Sequence, residues 1–170
     1  MPIQRLPHAT LLLLLSACGG GNDNPLPPGA KMEIFPSEIT WEIGPGARPC
    51  VVDPAFYQDQ LISFALKNAS DQPLGGVDIT TVLDLSEGTF SGTPVLGLYA
   101  DSNGNGVADD AERVSIDGRG SYKTRTSKYD GSAQLWLRVN LSCPYRGHLN
   151  AYAGGAGAGV SINVTELAEN

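Results

Sequence analysis

Asp101, Asn103, Asn105, Asp109 and Glu112 place oxygen-bearing side chains at positions 1, 3, 5, 9 and 12 of one twelve-residue stretch. Position 7 adds the backbone carbonyl of Val107, and Gly106 stands at position 6, where such a loop must turn sharply. A hard divalent cation takes six to eight oxygen ligands of mixed carboxylate, amide and carbonyl type, so the chemistry this spacing predicts is Ca²⁺ binding. Asp109, at position 9, acts through a water in such loops. Asp101, Asp109 and Glu112 bring three formal charges, which predicts weak affinity of the extracellular kind, about 10⁻⁴ to 10⁻³ M. The competing reading is a plain turn, because Asn, Asp and Gly favour turns for their own conformational reasons. Turn chemistry does not account for Glu112.

The other chemistry-bearing residues are the cysteines. Residues 1–17 carry Arg5, an apolar run from Leu11 to Leu15 and then Leu15-Ser16-Ala17-Cys18. The run is far shorter than the ~20 residues needed to span a bilayer, so a cleaved signal peptide is expected, not a membrane-spanning helix. The Leu-Ser-Ala-Cys segment resembles the lipobox of bacterial lipoproteins. That resemblance implies a lipidated Cys18 as the new N-terminus, with acyl chains sufficient to hold the domain at a membrane. Gly19 stands where the inner-membrane retention signal of those lipoproteins has Asp, which implies the outer membrane. Cys50 and Cys143 then remain as a pair. In an oxidising compartment they are expected to form one disulfide, the alternative being a zinc site built from Cys50, Cys143 and His148.

Around these residues the chain reads as a tether and one domain. Residues 18–30 are rich in Gly, Asn and Pro and have almost nothing to bury. Residues 31–170 suffice for one core. Removal of Arg5 leaves ten basic residues against eighteen acidic ones, a net charge of −8 in place of −7. Without a basic cluster, nucleic acid is not expected as a partner. Period-two alternation is clear over 62–67, 77–84, 134–141 and 160–164, and no segment has a helical period. Turns are expected at 68–76, 86–94, 117–118, 130–131, 144–147 and 154–159. Many short strands separated by turns predict an all-β, antiparallel two-sheet sandwich.

The stretches 67–79 and 126–135, together with the small-residue run 150–164, resemble the bacterial immunoglobulin-like domains of surface adhesins and exported lipoproteins. The 101–112 stretch is similar to the calcium loop of EF-hands, and its flanks, Leu98-Tyr99-Ala100 and Arg113-Val114-Ser115, resemble those of calcium loops in surface-protein repeats. The resemblance implies an Ig-like β-sandwich of the cell envelope with a binding or structural role, adhesive among others, toward a protein or glycan partner. The cysteine pair and the single module depart from the usual pattern. Flanking strands imply a static site and not a helix-loop-helix sensor. An accessory subunit of an envelope or secretion complex, pairing through an edge strand, is the alternative. An enzyme is not expected, because only His148 survives signal removal and no GxSxG is present. A carboxylate-based hydrolase remains the reading of another class. Trp136, on the nominally polar face of 134–141, either packs or marks a binding surface.

Overall fold

The computed structural model describes residues 25–45, 53–87, 95–116 and 121–168. Its strands are β1 (Lys31–Phe35), β2 (Glu38–Ile43), β3 (Tyr57–Lys67), β4 (Asp78–Glu87), β5 (Leu96–Tyr99), β6 (Arg113–Ile116), β7 (Ser121–Arg125), β8 (Ser132–Asn140), β9 (Tyr145–Ala153) and β10 (Ala156–Glu166). They form two five-stranded sheets, ordered β1-β3-β8-β5-β6 and β2-β10-β9-β4-β7.

Alternation explains which side of each strand is dry. In β8 the side chains of Ala133, Leu135, Leu137 and Val139 are buried, while Gln134, Trp136 and Arg138 take the opposite face. Ile62, Phe64 and Leu66 of β3 do the same beside it, and Ile79, Leu83, Leu149, Val160 and Ile162 answer from the second sheet. Fully burying a Leu, Ile or Phe contributes roughly 1.5–3 kcal/mol, so this interleaved layer is the main force holding the sheets together.

The order of strands in space is that of an immunoglobulin-like sandwich. Strands β1, β3, β8 and β5 occupy the A, B, E and D places of one sheet, and β10, β9 and β4 the G, F and C places of the other. The first edge is divided between the sheets: β1 pairs antiparallel with β3, and after Phe35-Pro36 the chain crosses so that β2 pairs parallel with β10. Strands β6 and β7 are additions at the far edges.

Two expected turns are corrected. The 144–147 turn is shorter than predicted, because Tyr145–Ala153 is a strand, and at 154–159 only the first two residues turn before β10 begins at Ala156. Strand β9 carries Gly147, Ala151 and Ala153 at inward positions and 154–159 is Gly and Ala throughout, and such small side chains hide the period-two signal. Gly147 must be small: a Cβ there would lie 2.6 Å from Leu96 Cδ1 and 2.9 Å from the Asp84 carbonyl oxygen. The turn expected at 117–118 lies outside the described residues, as does the part of the 86–94 turn beyond residue 87.

Candidate metal centre

The loop from Ala100 to Glu112 joins β5 to β6 at one sheet edge, and the amide of Ala100 donates to the Glu112 carbonyl at 3.0 Å to close its base. Its last residues, Asp110–Glu112, make a 3₁₀ turn. Gly104 and Gly106 have φ of 72° and 74°, in the left-handed region where an L side chain is disfavoured. The sharp turn expected at position 6 is therefore present.

The oxygen-bearing side chains fold back on the loop's own backbone. Asp101 accepts from the amides of Asn105 (3.0 Å) and Gly106 (2.9 Å), one on each carboxylate oxygen. Asn103 Oδ1 accepts from the Asn105 amide and Asn105 Oδ1 from the Val107 amide, both at 2.9 Å. The side-chain amides of Asn103 and Asn105 donate to one oxygen of Asp109 at 3.0 and 2.8 Å. Glu112 reaches in from the other end, where its Oε1 accepts from the Ser102 amide (2.8 Å), the Ser102 hydroxyl (2.7 Å) and the Asn103 amide (3.0 Å).

Glu112 is also where the arrangement is incomplete. The residue is only 9% exposed, and its Oε2 is buried without a hydrogen-bond partner. Burying a polar oxygen without a hydrogen-bond partner is costly, and such atoms are rare in folded proteins. A cation in the loop would be a partner for it. Each carboxylate oxygen has more than one lone pair, so the oxygens of Asp101 and Asp109 keep acceptor capacity beyond the bonds they make. Among the described residues no three or more His, Cys, Asp or Glu side chains are grouped to hold a metal ion.

Sequence reasoning missed Arg138. It projects from the outer face of β8 and is 16% exposed along its side chain. Its Nε and Nη2 donate to the two carboxylate oxygens of Asp59 on β3 at 2.7 and 2.8 Å. It also donates from Nη1 to Asp110 at 2.9 Å and from Nη2 to the Ala108 carbonyl at 2.5 Å. Its guanidinium lies 4.6 Å from the Tyr99 ring centroid and 5.8 Å from that of Tyr57, within cation–π range. The Asp59 carboxylate beside it holds the guanidinium pKa well above its ordinary value. Burial raises the neighbouring Tyr57 phenol, with Tyr99 adding to the rise. Only an outward Arg on a strand that otherwise packs inward hinted at this cluster.

Cys18 and Cys50 lie outside the described residues. Cys143 is buried, 4% exposed, and disulfide-bonded. A disulfide sulfur is not a thiolate ligand, so the alternative zinc site with His148 is withdrawn. His148 itself is exposed on β9, in register with Asp84 and Ser161. Trp136 is half-buried on the outer face of β8, in register with Tyr99 and Leu61, and is not part of the core between the sheets. No helix among the described residues is long and apolar enough to cross a membrane.

No protein-family model matches the chain, and no curated protein matches it in sequence. Among solved structures it is similar to the ASH/PapD-like domain 7 of human CEP192, with a TM-score of 0.37 and 9% identity over 99% of this chain and 100% of that one. A glycosyl hydrolase family 2 member from Bacteroides cellulosilyticus gives 0.40 and 16%, covering 80% of this chain and 14% of that one. The CupB6 tip adhesin from Pseudomonas aeruginosa gives 0.36 and 15%, covering 77% and 41%. The chain spans less than half the length of the last two. Likenesses this distant carry no argument about this chain.

Proposed function

We propose that this chain is a calcium-stabilised Ig-like module of the bacterial envelope, with a binding or structural role and no catalytic one. The observation that carries the reading is the buried, unpartnered Oε2 of Glu112 at position 12 of a loop whose other oxygens sit at calcium-loop spacing. A cation there would neutralise the charges of Asp101, Asp109 and Glu112 and fix the connection between β5 and β6. The side-chain oxygens of Asn103 and Asn105 and the carbonyl of Val107 would complete the set.

Residues 1–17 serve as the signal peptide, Cys18 as the lipid anchor at the outer membrane, and residues 18–30 as the tether of the 31–170 domain. This part rests on the lipobox-like sequence. The disulfide partner assigned to Cys143 is Cys50. In support, the amide of Asp53 donates to Ser142 Oγ at 3.1 Å and Asn140 Nδ2 donates to the Asp53 carbonyl at 2.9 Å, which holds the segment after Cys50 against the one before Cys143.

The test is calorimetric titration of the full chain with Ca²⁺, paired with melting in calcium and in chelator and with Asp101→Ala and Glu112→Ala controls. Binding in the millimolar range or tighter that both controls abolish supports the reading. Identical heats and melting temperatures with and without millimolar calcium would reduce the loop to a turn.

A further inference from the structure

We infer that Arg138 is the positioning residue of the calcium loop, a bracket on the sheet that holds the loop's second half in its binding shape. The inference rests on the cation reading above and concerns a residue outside the loop. The loop has two halves held by different means. The first is fixed from within: Asp101 gathers the amides of Asn105 and Gly106, and Glu112 Oε1 gathers those of Ser102 and Asn103. The second has internal bonds as well, from the side-chain amides of Asn103 and Asn105 to Asp109, but it is also fixed from outside. Arg138 grips position 8 through the Ala108 carbonyl and position 10 through Asp110, and so straddles Asp109 at position 9.

The bracket is itself rigid. Asp59 takes two bonds from the guanidinium, and the rings of Tyr57 and Tyr99 lie beside it. These bonds draw on Nε, Nη1 and Nη2 together, and only a planar fork points donors in all these directions; an ammonium cannot. Ala108 is 3% exposed, so the point of attachment is also packed. Holding ligands in place before the ion arrives removes an ordering cost from binding, and calcium loops tune affinity through such rigidity.

Electrostatics alone predicts the opposite. Arg138 is a positive charge beside a cation site, so its removal would strengthen calcium binding if charge were its only effect. Arg138→Lys keeps the charge and loses the fork; Arg138→Met loses both. Calcium titration of the full chain should show at least about tenfold weaker binding for Arg138→Lys, and weaker binding for Arg138→Met as well. Tighter binding by Arg138→Met, or an unchanged Kd in Arg138→Lys, overturns the inference. So does a loss of melting temperature that is equal in calcium and in chelator, because that is the mark of a residue serving the sandwich only.

Hydrogen exchange in chelator separates this inference from the cation reading. Arg138→Lys should speed exchange at the amide of Glu112, which donates to the Asp109 carbonyl at 2.9 Å in the half that Arg138 holds, and leave those of β3 and β8 unchanged. Asp110→Asn, at an 87% exposed side chain, should do so to a smaller extent without endangering the fold. If the wild-type chain takes up no calcium, the cation reading fails and exchange alone decides on the bracket. Unaltered loop exchange in both variants overturns it.

Discussion

Ser102 and Glu112 are joined twice: one oxygen of the Glu112 carboxylate accepts both the amide of Ser102, at 2.8 Å, and its hydroxyl, at 2.7 Å. The link closes positions 2 and 12 of the loop and commits Oε1 to the protein, leaving Oε2 buried with nothing opposite. A group with one half satisfied and the other orphaned behaves differently with and without a cation, and this makes Glu112 the most diagnostic position in the chain.

Glu112→Gln is expected to invert in its effect with calcium. In chelator the substitution keeps the acceptor at Oε1 and removes the need to bury Oε2 without a partner as part of a carboxylate, so the variant should melt at or above the wild-type temperature. With calcium ten- to a hundredfold above its dissociation constant, the wild-type chain should gain about 1.4 to 2.7 kcal/mol that the variant does not. Paired melting curves check this. A variant less stable by the same margin in both conditions would mean that the carboxylate serves the fold and not an ion.

Asn140 is predicted to matter for stability although it touches no part of the loop. It is fully buried, donates to the Asp53 carbonyl and accepts from the Ser142 amide, both at 2.9 Å. Asn140→Ala strands both backbone groups and should cost about 1–3 kcal/mol in equilibrium denaturation. A change below half that range would show that water replaces the side chain at this end of the sandwich.

The two sites differ in how far the sequence exposes them. The loop spacing is local, and 134–141 announces itself because every inward residue from Ala133 to Val139 is apolar. Strand β9 does not, since Gly147, Ala151 and Ala153 are small where Leu96 and neighbouring strands crowd in. The first two strands were equally silent: β1 and β2 are short edge strands with few inward positions. Arg138 was illegible for another reason. Its main partner, Asp59, is 79 residues away, and only the pairing of β3 with β8 brings them into register. Local pattern reveals ligands, and sheet order reveals what holds them.

Two surface carboxylates should keep their charge to lower pH than ordinary ones. The hydrogen bond from Arg125 holds Asp78 below the ordinary value of 3.8, and the Ser132 hydroxyl and amide do the same for Asp130. A depressed folded pKa means that each contributes stability above its unfolded pKa and loses it as pH falls through the folded value. The window therefore lies below about pH 4. Carboxyl NMR titration should find both below the unfolded range, and Asp78→Asn should flatten the acid limb of the stability curve slightly, as expected for an exposed pair. Ordinary midpoints for both would contradict the hydrogen bonding described.

Gly147→Ala tests the packing that made β9 hard to see. The added methyl would meet Leu96 Cδ1 at 2.6 Å and the Asp84 carbonyl oxygen at 2.9 Å, and overpacking of this kind costs about 1–3 kcal/mol. The two contacts differ in what relieves them. Shortening Leu96 to Val removes the first, whereas the second is backbone of the paired strand β4 and cannot turn away. Leu96→Val should therefore cost less in the Gly147→Ala background than in the wild-type chain, while the double variant stays below wild type in denaturant unfolding. Strict additivity would mean that Leu96 already has a second rotamer available, and full recovery would mean that the strands part easily at Asp84.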